Sequence, residues 1–476
     1  MRNLTLLTDL YQLTMMYGYS KNNQMDKQAV FDVFYRGVGN NYAVACGLEQ
    51  VIEYVQNLHF EQDDIEYLRG LNLFDEDFLT LLKNFKFTGD LYSVPEGTIV
   101  FPQEPILTVK ARLFEAQLIE TAILCIINHQ TLIATKTAKI VYEAHGGAIA
   151  EFGLRRAQGP DAGIYGARAA MIAGCKSTSN VLAGKMFNVP ISGTHAHSWV
   201  MSFPSEIEAF RAYAAMYPDA CLLLVDTYDT VASGVPNAIK VFNELKEKGH
   251  SPVGIRLDSG DLAYLSRKAR EMLDAAGFAD AKIFASGDID ENVLQSLFAQ
   301  GACIDCWGIG TKLITSADCP SLGGVYKMSA MEENGALVPK LKMSDTPAKI
   351  TNPGFKNIIR LYDKVSGKAI ADLICLRSDN FVGAEEIEIF HPDFSWKRKK
   401  VTNFYYKELM RDIIIDGKVV YTCPNVQEIA LYHKENCNEF WNEYRRNLNP
   451  HIYKVDLSKS LFELKQSLLK EYSSNN

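Results

Sequence analysis

The sequence lacks any long apolar run without charges, and this absence argues against a membrane protein. The uncharged stretch 121–135 is too short to cross a bilayer, and it contains Asn128, His129 and Gln130. The opening residues MRNLTLLTDLYQ are interrupted by Asp9, so they do not offer the apolar segment of a signal peptide. We therefore expect a cytoplasmic protein whose ten scattered cysteines are reduced thiols.

Several other patterns are scarce or missing. The net charge is −8 and there is no strong basic stripe, so we expect neither nucleic acid nor membrane as a partner. The short basic run 397–400 is predicted to be a solvated loop or strand end. No second pair matches Cys303-x-x-Cys306, and structural zinc needs four ligands. No GxGxxG follows a first strand, which disfavours an open dinucleotide-binding sheet.

The middle of the chain alternates short apolar runs with helix-like stretches. Asp226, Asp258 and Asp288 follow three of these runs and lie 32 and 30 residues apart, which is the length of a strand–helix unit. Such alternation predicts a parallel sheet, and polar residues after successive strands favour a barrel with its site at that rim. The runs are AIAEFG (148–153), PISGTHA (190–196), CLLLVDT (221–227), PVGIRLDSG (252–260), KIFASGD (282–288) and IDCWGIGT (304–311).

The two ends of the chain have different patterns. Short antiparallel strands are predicted within 87–112, and IIIDGKVVY (413–421) is typical of a hairpin with Asp-Gly at its turn. We therefore predict an α/β fold built around an atypical, incomplete α/β barrel. Its three regions are an N-terminal α+β domain (1–130), the barrel (131–340) and a C-terminal region that packs on the N-terminal domain (341–476).

Cations, carboxylates and glycine-rich turns follow the predicted strands. Glycine lets backbone N–H groups approach phosphate oxygens, and carboxylates tolerate phosphate when Mg²⁺ lies between them. Together they predict a site for phosphate and Mg²⁺. Each piece alone has a structural alternative: Asp226 or Asp258 can cap a helix, and His195 and His197 can be satisfied polar residues at a strand end. The residues are Arg155, Arg156, Thr194, His197, Asp226, Asp229, Arg256, Asp258, Ser286, Gly287, Asp288, Gly308, Gly310 and Thr311.

Seven motifs, taken in order, resemble nicotinate phosphoribosyltransferase. They are LLTDLYQLTMMYGY, EFGLRRAQGPDAG, GCKSTSNVLAG, SGTHAHSWV, GIRLDSGDL, SGDID and GIGTKL. The resemblance extends from Leu6 to the C-terminal helix. It implies transfer of phosphoribosyl from phosphoribosyl diphosphate to nicotinate in NAD salvage, coupled to ATP and requiring Mg²⁺. It also implies a homodimer whose active sites are shared between the subunits.

The resemblance implies roles for individual residues. Phe152 stacks on the nicotinate ring, and Arg155 or Arg256 pairs with the carboxylate through a planar fork. Thr194 and the Tyr11 of the partner subunit are further contacts to nicotinate. The residues that hold ribose, diphosphate and Mg²⁺ are Asp226, Asp258, Gly287, Asp288, Gly308 and Gly310, with Thr311 beside them; Asp226 and Asp258 are the expected metal ligands.

A histidine and a serine complete the expected site. His197 is the residue that ATP phosphorylates, chosen over His195 because it precedes Ser198 as in the family, and a neutral imidazole is a competent nucleophile. Ser179 occupies a position where the related nicotinamide enzymes carry an acidic residue, and a serine does not repel a carboxylate.

Three alternatives remain at this point. Nicotinamide phosphoribosyltransferase is the first. Quinolinate phosphoribosyltransferase is the second, although it needs more cations and is a much shorter chain. A non-catalytic sensor of phosphoribosyl metabolites is the third, but it would be free to lose His197 and the carboxylates. We also expect some basic residues after the barrel to reach phosphates, with a solvated basic surface as the alternative; they are Lys340, Lys342, Lys349, Lys356 and Arg360.

Overall fold

The structure is a computed structural model that describes residues 3–37, 41–346, 349–394 and 396–474. The chain divides into two units. The first unit comprises Met1–Leu132, Ser321–Pro424 and Leu431–Asn476, and the second comprises Ile133–Pro320 with Asn425–Ala430. The division at residues 130 and 340 stays a prediction. No helix in the described part of the chain is both long enough and apolar enough to span a membrane.

Helices occur throughout the chain, and Leu154–Arg156 and Pro218–Ala220 form 3₁₀ turns. The α-helices are α1 Leu10–Lys21, α2 Leu48–Gln56, α3 Gln62–Gly70, α4 Glu76–Lys83, α5 Leu113–Leu118, α6 Glu120–Glu143, α7 Pro160–Ile172, α8 Val181–Phe187, α9 His197–Met201, α10 Glu206–Met216, α11 Val235–Glu247, α12 Leu262–Ala275, α13 Glu291–Ala299, α14 Thr311–Ile314, α15 Val426–Asn438, α16 Asn442–Arg445 and α17 Lys459–Ser474.

Strands form three larger sheets and one two-stranded ribbon. They are β1 Gln28–Tyr35, β2 Ala43–Val44, β3 Asp90–Ser93, β4 Ile99–Val100, β5 Leu107–Arg112, β6 Ala148–Glu151, β7 Ser177–Thr178, β8 Leu222–Leu224, β9 Gly254–Leu257, β10 Lys282–Gly287, β11 Cys306–Ile309, β12 Gly324–Glu333, β13 Ala336–Pro339, β14 Lys356–Asp363, β15 Ala369–Leu376, β16 Glu386–Phe390, β17 Arg398–Thr402, β18 Phe404–Glu408, β19 Arg411–Ile415, β20 Lys418–Val419 and β21 Val455–Leu457.

The first unit contains mainly antiparallel sheets. One sheet has the order β13-β12-β1-β5-β3-β19-β20, and β1, rich in β-branched and aromatic residues, is buried along nearly its whole length. The second sheet has the order β17-β16-β21-β15-β14-β18, with β15 and β21 as its parallel pair. The predicted strands within 87–112 and the predicted hairpin β19–β20 are confirmed. The basic run 397–400 lies on or beside the edge strand β17, exposed, as expected of a charged edge.

The second unit is built on six parallel strands in the order β7-β6-β11-β10-β9-β8. One face of the sheet packs on helices, where Ile255, Leu257 and Ile283 meet Val241 and Phe242 of α11. Because side chains alternate along a strand, the residues next to Ile255, Leu257 and Ile283 on the same strands point to the opposite face of the sheet. The six parallel strands confirm the predicted parallel sheet and the mixed α/β fold. Among the described residues no ladder joins the end strands β7 and β8.

One predicted strand is wrong. The run PISGTHA forms only an isolated bridge between Thr178 and Ile191, and β7, from the motif GCKSTSN, takes the edge position instead. Pro190 has no N–H to donate, so a regular ladder cannot continue through this run. His195 and His197 therefore lie outside the sheet, and His197 is the first residue of α9.

Candidate active site

The carboxyl ends of the six parallel strands lie at one edge of the second unit's sheet. Four of the predicted motifs follow a strand at this edge: Phe152 follows β6, Asp226 follows β8, Asp258 follows β9 and Gly310 follows β11. Parallel strands bring these ends together although the residues are far apart in sequence. The edge is also where α/β sheets place their ligands.

An ion pair and a shared hydroxyl occupy the centre of this edge. Arg256 donates from Nη2 to the Oδ1 of Asp258 over 2.9 Å and from Nε to the Oγ of Ser286 over 2.8 Å, and Ser286 in turn donates to Asp258. Burial alone would raise the pKa of Asp258, but the hydrogen bond from Ser286 and the charge of Arg256 outweigh it and hold the pKa below its ordinary value. Asp258 is therefore ionised at neutral pH.

Asp226 holds the loop that carries Asp258. Its Oδ2 accepts hydrogen bonds from the backbone N–H of Asp258 over 2.8 Å and from the Oγ of Ser259 over 2.7 Å. Its Oδ1 is buried and has no partner among the described residues. A buried carboxylate oxygen without a donor is unfavourable, so this atom is suited to meet a ligand.

Three helical segments of this unit are capped by other aspartates. Asp229, Asp261 and Asp290 each accept a backbone N–H in the first turn of the helical segment that follows. Asp226 and Asp258 do not cap a helix. The structural alternative for these two residues is therefore not supported.

The glycines place Phe152 against the sheet. A Cβ on Gly308 would lie 2.6 Å from the Phe152 ring, so the ring occupies the space that a side chain there would fill. The Arg256 guanidinium lies 5.6 Å from the centre of the same ring, close enough for a cation–π contact. Gly287 has φ +123°, which favours glycine, and a Cβ there would approach the Asp258 carbonyl oxygen to 3.0 Å.

The two histidines have different surroundings. His197 begins α9; its Nδ1 lies 3.1 Å from the Thr227 hydroxyl, and its Nε2 lies 3.8 Å from the Oδ2 of Asp258. The Nε2 of His195 instead accepts a hydrogen bond of 3.4 Å from the backbone N–H of Leu224. Burial lowers the pKa of His195 to about 4, so this ring is neutral at physiological pH.

Several contact residues were missed by reasoning from the sequence alone. Thr227 and Ser259 directly follow predicted residues, so proximity to a strand end was an available signal. Glu151, the last residue of β6, gave no signal. It accepts a hydrogen bond of 2.6 Å from Thr178, and burial raises its pKa although its hydrogen bonds from Thr178 and Gly153 oppose the shift.

Not every predicted site residue contacts this cluster. Arg155 is exposed and donates to the Phe152 carbonyl over 3.4 Å, and Ser179 donates its backbone N–H to the backbone carbonyl of Glu151 over 2.9 Å. Thr311 and Asp288 are exposed at the same edge of the sheet. Tyr11 lies on α1 in the first unit, where it is 47% exposed.

The phosphate role expected for Lys356 and Arg360 is wrong. Lys356 pairs with Asp32 over 2.8 Å and Arg360 pairs with Asp372 over 2.6 Å, and all four side chains are at most 3% exposed. Buried cations with internal partners cannot reach a phosphate in solvent. Lys340 pairs with Glu333, so phosphate contacts by Lys342 and Lys349, which are both exposed, stay a prediction.

A cavity of about 330 Å³ lies beside the cluster, within the second unit. Phe152, Thr194, Arg256, Ser286 and Gly308 line the end that is nearest the carboxyl edge. The described residues contain no group of three His, Cys, Asp or Glu side chains able to hold a metal by themselves.

Three family models match the chain. The nicotinate phosphoribosyltransferase N-terminal domain matches residues 6–128, the nicotinate phosphoribosyltransferase family model matches 148–365, and the C-terminal domain matches 355–465. Nicotinate phosphoribosyltransferase of Bacillus subtilis (strain 168) is 47% identical over 474 residues, covering 99% of this chain and 96% of the relative. The Homo sapiens enzyme of the same name is 31% identical and covers 97% and 96%.

Solved structures give the same similarity. The crystal structure of human nicotinic acid phosphoribosyltransferase superposes with a TM-score of 0.85 at 30% identity, covering 97% of this chain and all (100%) of that one. The structure of nicotinate-nucleotide pyrophosphorylase from Pyrococcus furiosus has a TM-score of 0.70 at 22% identity and covers 92% and 96%. The second similarity concerns the fold alone.

Proposed function

Because the chain belongs to the nicotinate phosphoribosyltransferase family, we propose that it transfers phosphoribosyl from phosphoribosyl diphosphate to nicotinate. The products are nicotinate mononucleotide and diphosphate, a step of NAD salvage. One observation carries the proposal: a guanidinium, an aromatic ring and two carboxylates meet at the carboxyl edge of the parallel sheet, beside a cavity. These groups match the two substrates, one a flat anion and the other a sugar phosphate.

Nicotinate binds between Phe152 and the arginines. The Phe152 ring stacks on the pyridine, and Arg256, already oriented by Asp258 and Ser286, directs its remaining N–H groups to the carboxylate. Arg155 adds a second, exposed cation. Further contacts come from Thr194, whose buried Oγ1 has no partner among the described residues, from Ser179 and from Tyr11 of the partner subunit.

The transfer exchanges one bond for another at the anomeric carbon. The pyridine nitrogen forms the new bond with its lone pair, and the bond to diphosphate breaks with its electron pair leaving on oxygen. No proton has to move. The residues therefore act by positioning the substrates and by stabilising positive charge on the sugar, for which the ionised Asp258 and the neighbouring carboxyl group of Asp226 are suited.

The carboxylates also suit Mg²⁺. Asp226 offers a buried oxygen without a partner among the described residues, and Asp258 offers Oδ2, which lies 3.8 Å from His197. Two carboxylates and substrate phosphates form the usual ligand set of Mg²⁺ in proteins. When bound, the ion would neutralise charge on the departing diphosphate. The exposed residues Gly287, Asp288 and Thr311, with the half-buried Gly310, would hold the ribose and phosphate groups beside it.

ATP acts through His197. If Nδ1 donates its proton to Thr227, the Nε2 lone pair is available to attack the γ-phosphorus, and the bond to ADP breaks as the N–P bond forms. His195 is unsuited to this role because its Nε2 already accepts the N–H of Leu224. The phosphate on His197 would then act on the neighbouring donor site.

We also infer the architecture, the assembly and the location of the protein. The open parallel sheet is the main part of an incomplete barrel, and the chain has the three regions bounded at residues 130 and 340. The protein forms a homodimer with shared active sites and works in the cytoplasm. The family membership supports the barrel, the homodimer and the location, and the three family models, which match 6–128, 148–365 and 355–465, support a division into three regions.

The decisive experiment offers three bases to the purified protein. With phosphoribosyl diphosphate and Mg²⁺ present, release of diphosphate is measured with nicotinate, nicotinamide or quinolinate. We expect nicotinate to be used with a kcat/KM at least about 10³-fold above that of nicotinamide, because an amide does not offer a carboxylate to Arg155 and to the remaining N–H groups of Arg256. Comparable values for these two bases would contradict the proposal, and no turnover of any base would favour a non-catalytic sensor.

A further inference from the structure

The cavity of the second unit continues beyond the space that nicotinate needs. It is lined by residues from both ends of the same strands: Ala148 and Phe152 flank the length of β6, and Cys306 and Gly308 lie on β11. Four residues of extended strand cover roughly 13 Å. A pyridine ring with one carboxylate covers about half of that, since its bonds are roughly 1.2 to 1.5 Å long.

Small side chains create this space. Along β6 and β11 the alternate positions that face the cavity are Ala148, Ala150, Cys306 and Gly308, and the register pairs Cys306 with Ala148 and Gly308 with Ala150. Ile149 and Trp307, between them, also touch the cavity, but Trp307 is only 1% exposed and its ring packs against Phe298 of α13, with 5.7 Å between ring centres. The bulk of these strands therefore lies on the helix face, and the opposite face is left open.

The two ends of the cavity differ in chemistry. The end at the carboxyl edge has Arg256, Ser286 and Thr194, which suit the charged part of a substrate. The other end is apolar apart from Lys176 and Ser177 at its margin, and burial raises the pKa of the Cys306 thiol, which stays neutral. Its lining residues are Ala148, Ala220, Leu222, Val253, Phe284 and Cys306.

We infer that this apolar end is a subsite for a substituent on the pyridine ring, so the substrate class extends to ring-substituted nicotinates. The inference rests on the proposed function. In nicotinate the ring nitrogen must face the donor at the carboxyl edge and the carboxylate must face Arg256. Position 5 is the only hydrogen-bearing ring carbon adjacent to neither group, so a small alkyl group there points to the apolar end. Apolar surface of the ligand and of Leu222 and Phe284 is then buried together.

The first test compares nicotinate with 5-ethylnicotinate in the wild-type protein. We expect kcat/KM for 5-ethylnicotinate to lie within about tenfold of that for nicotinate, because an added alkyl group is tolerated where space exists. Rejection by more than about 100-fold, with nicotinate turned over normally, would overturn the inference. If nicotinate itself is not turned over, the proposed function fails instead, and binding is measured by calorimetry; absence of 5-ethylnicotinate binding then overturns the inference as well.

The second test fills or enlarges the apolar end. Cys306→Leu should lower kcat/KM for 5-ethylnicotinate by about tenfold or more and that for nicotinate by less than about threefold. Cys303→Leu is the matched control, because Cys303 is not among the cavity residues; it should leave the ratio of the two substrates unchanged. Leu222→Ala should raise kcat/KM for 5-butylnicotinate relative to that for nicotinate. This variant tests the subsite if Cys306→Leu does not fold. An equal loss for both substrates in Cys306→Leu, or an unchanged ratio in Leu222→Ala, would contradict the subsite.

Discussion

Both units bring charged side chains together, but the surroundings of the charges differ. In the first unit Arg360 and Asp372 are fully buried, at 0% exposure each; Arg360 also donates to the Ile99 carbonyl, and Asp372 accepts from Tyr453. In the second unit Arg256 and Asp258 form a similar pair at 15% and 33% exposure. The first pair is enclosed by protein, whereas the second opens on a cavity.

The difference indicates which charges serve the fold and which serve a ligand. Enclosed charges need protein partners, and where these are insufficient the group becomes neutral: burial beside Asp372 raises the pKa of Glu104 well above its ordinary value. At the open pair, Asp258 stays ionised, and the neighbouring Asp226 keeps an oxygen without a partner in the described part of the chain. An ionised carboxylate next to a second carboxyl group with an unpartnered oxygen, beside a cavity, is the arrangement expected of a binding site.

We predict the largest effect for a substitution that removes a charge from the Arg256–Asp258 pair. Asp258→Asn preserves the shape of the side chain, and we expect kcat/KM for nicotinate to fall by at least about 10³-fold, because charge stabilisation in the transition state is lost. The melting temperature should change little. Asp274→Asn, an exposed carboxylate paired with Arg270 on the same unit, is the control. If Asp258→Asn keeps its activity within about tenfold of wild type, the inference that the Arg256–Asp258 pair serves a ligand is contradicted.

The matching change in the enclosed pair should act on stability. Asp372→Asn leaves Arg360 buried without its counter-ion, and we expect a loss of about 3 to 5 kcal/mol. It should appear as a lower midpoint of urea unfolding, while the soluble folded fraction keeps its KM for nicotinate. Glu244→Gln breaks the exposed Arg211 pair and should cost less than about 1 kcal/mol. A similarly small loss for Asp372→Asn would mean that this pair is not structural.

Within the second unit, we expect substitutions of His197 and His195 to have different effects. His197→Ala should abolish the ATP-linked gain and leave a slow transfer that does not depend on ATP, because the residue is not needed for the bond exchange. His195→Ala should be milder. The measurement is acid-labile, base-stable phosphate incorporated from γ-labelled ATP. Labelling that persists in His197→Ala and disappears in His195→Ala would reverse the assignment.

The smallest effect concerns pH. The folded pKa of His195, about 4, lies below the ordinary value of 6.5, so the unfolded chain binds more protons between these values. The stabilisation is present above pH 6.5 and is lost as the pH falls towards 4. The ring is partly exposed and lies near Arg256 and His197, so we expect only about 1 kcal/mol, or roughly 2 °C in melting temperature, between pH 7 and 5. His195→Asn should lack this contribution; an identical pH dependence in both proteins would show that His195 is not buried as a neutral ring.

Much of the second unit was predictable because the parallel sheet has a strong local signal. Apolar runs at steps of about 30 residues gave β8, β9 and β10, and the polar residue after each run gave Asp226, Asp258 and Asp288. The short edge strand β7 was missed, since two residues carry no periodicity. The expected strand at PISGTHA was wrong because it contains Pro190.

The basic residues after position 340 show the limit of reading charge from sequence. Lys349 and Lys356 look alike in the chain, yet the first is exposed and the second is buried against Asp32, which lies more than 300 residues earlier. Composition alone gave no sign of that partner.

The sequence by itself determined the parallel strand–helix plan, the polar strand ends and, through seven motifs, the family. These properties depend on residue types and on spacings along one stretch of chain. Only the tertiary structure decided which charges are enclosed, which oxygen of Asp226 lacks a partner among the described residues, and that Ala148 and Cys306 face an open cavity. Burial and pairing depend on residues that are distant in the chain, because they arise when strands from separate segments align side by side.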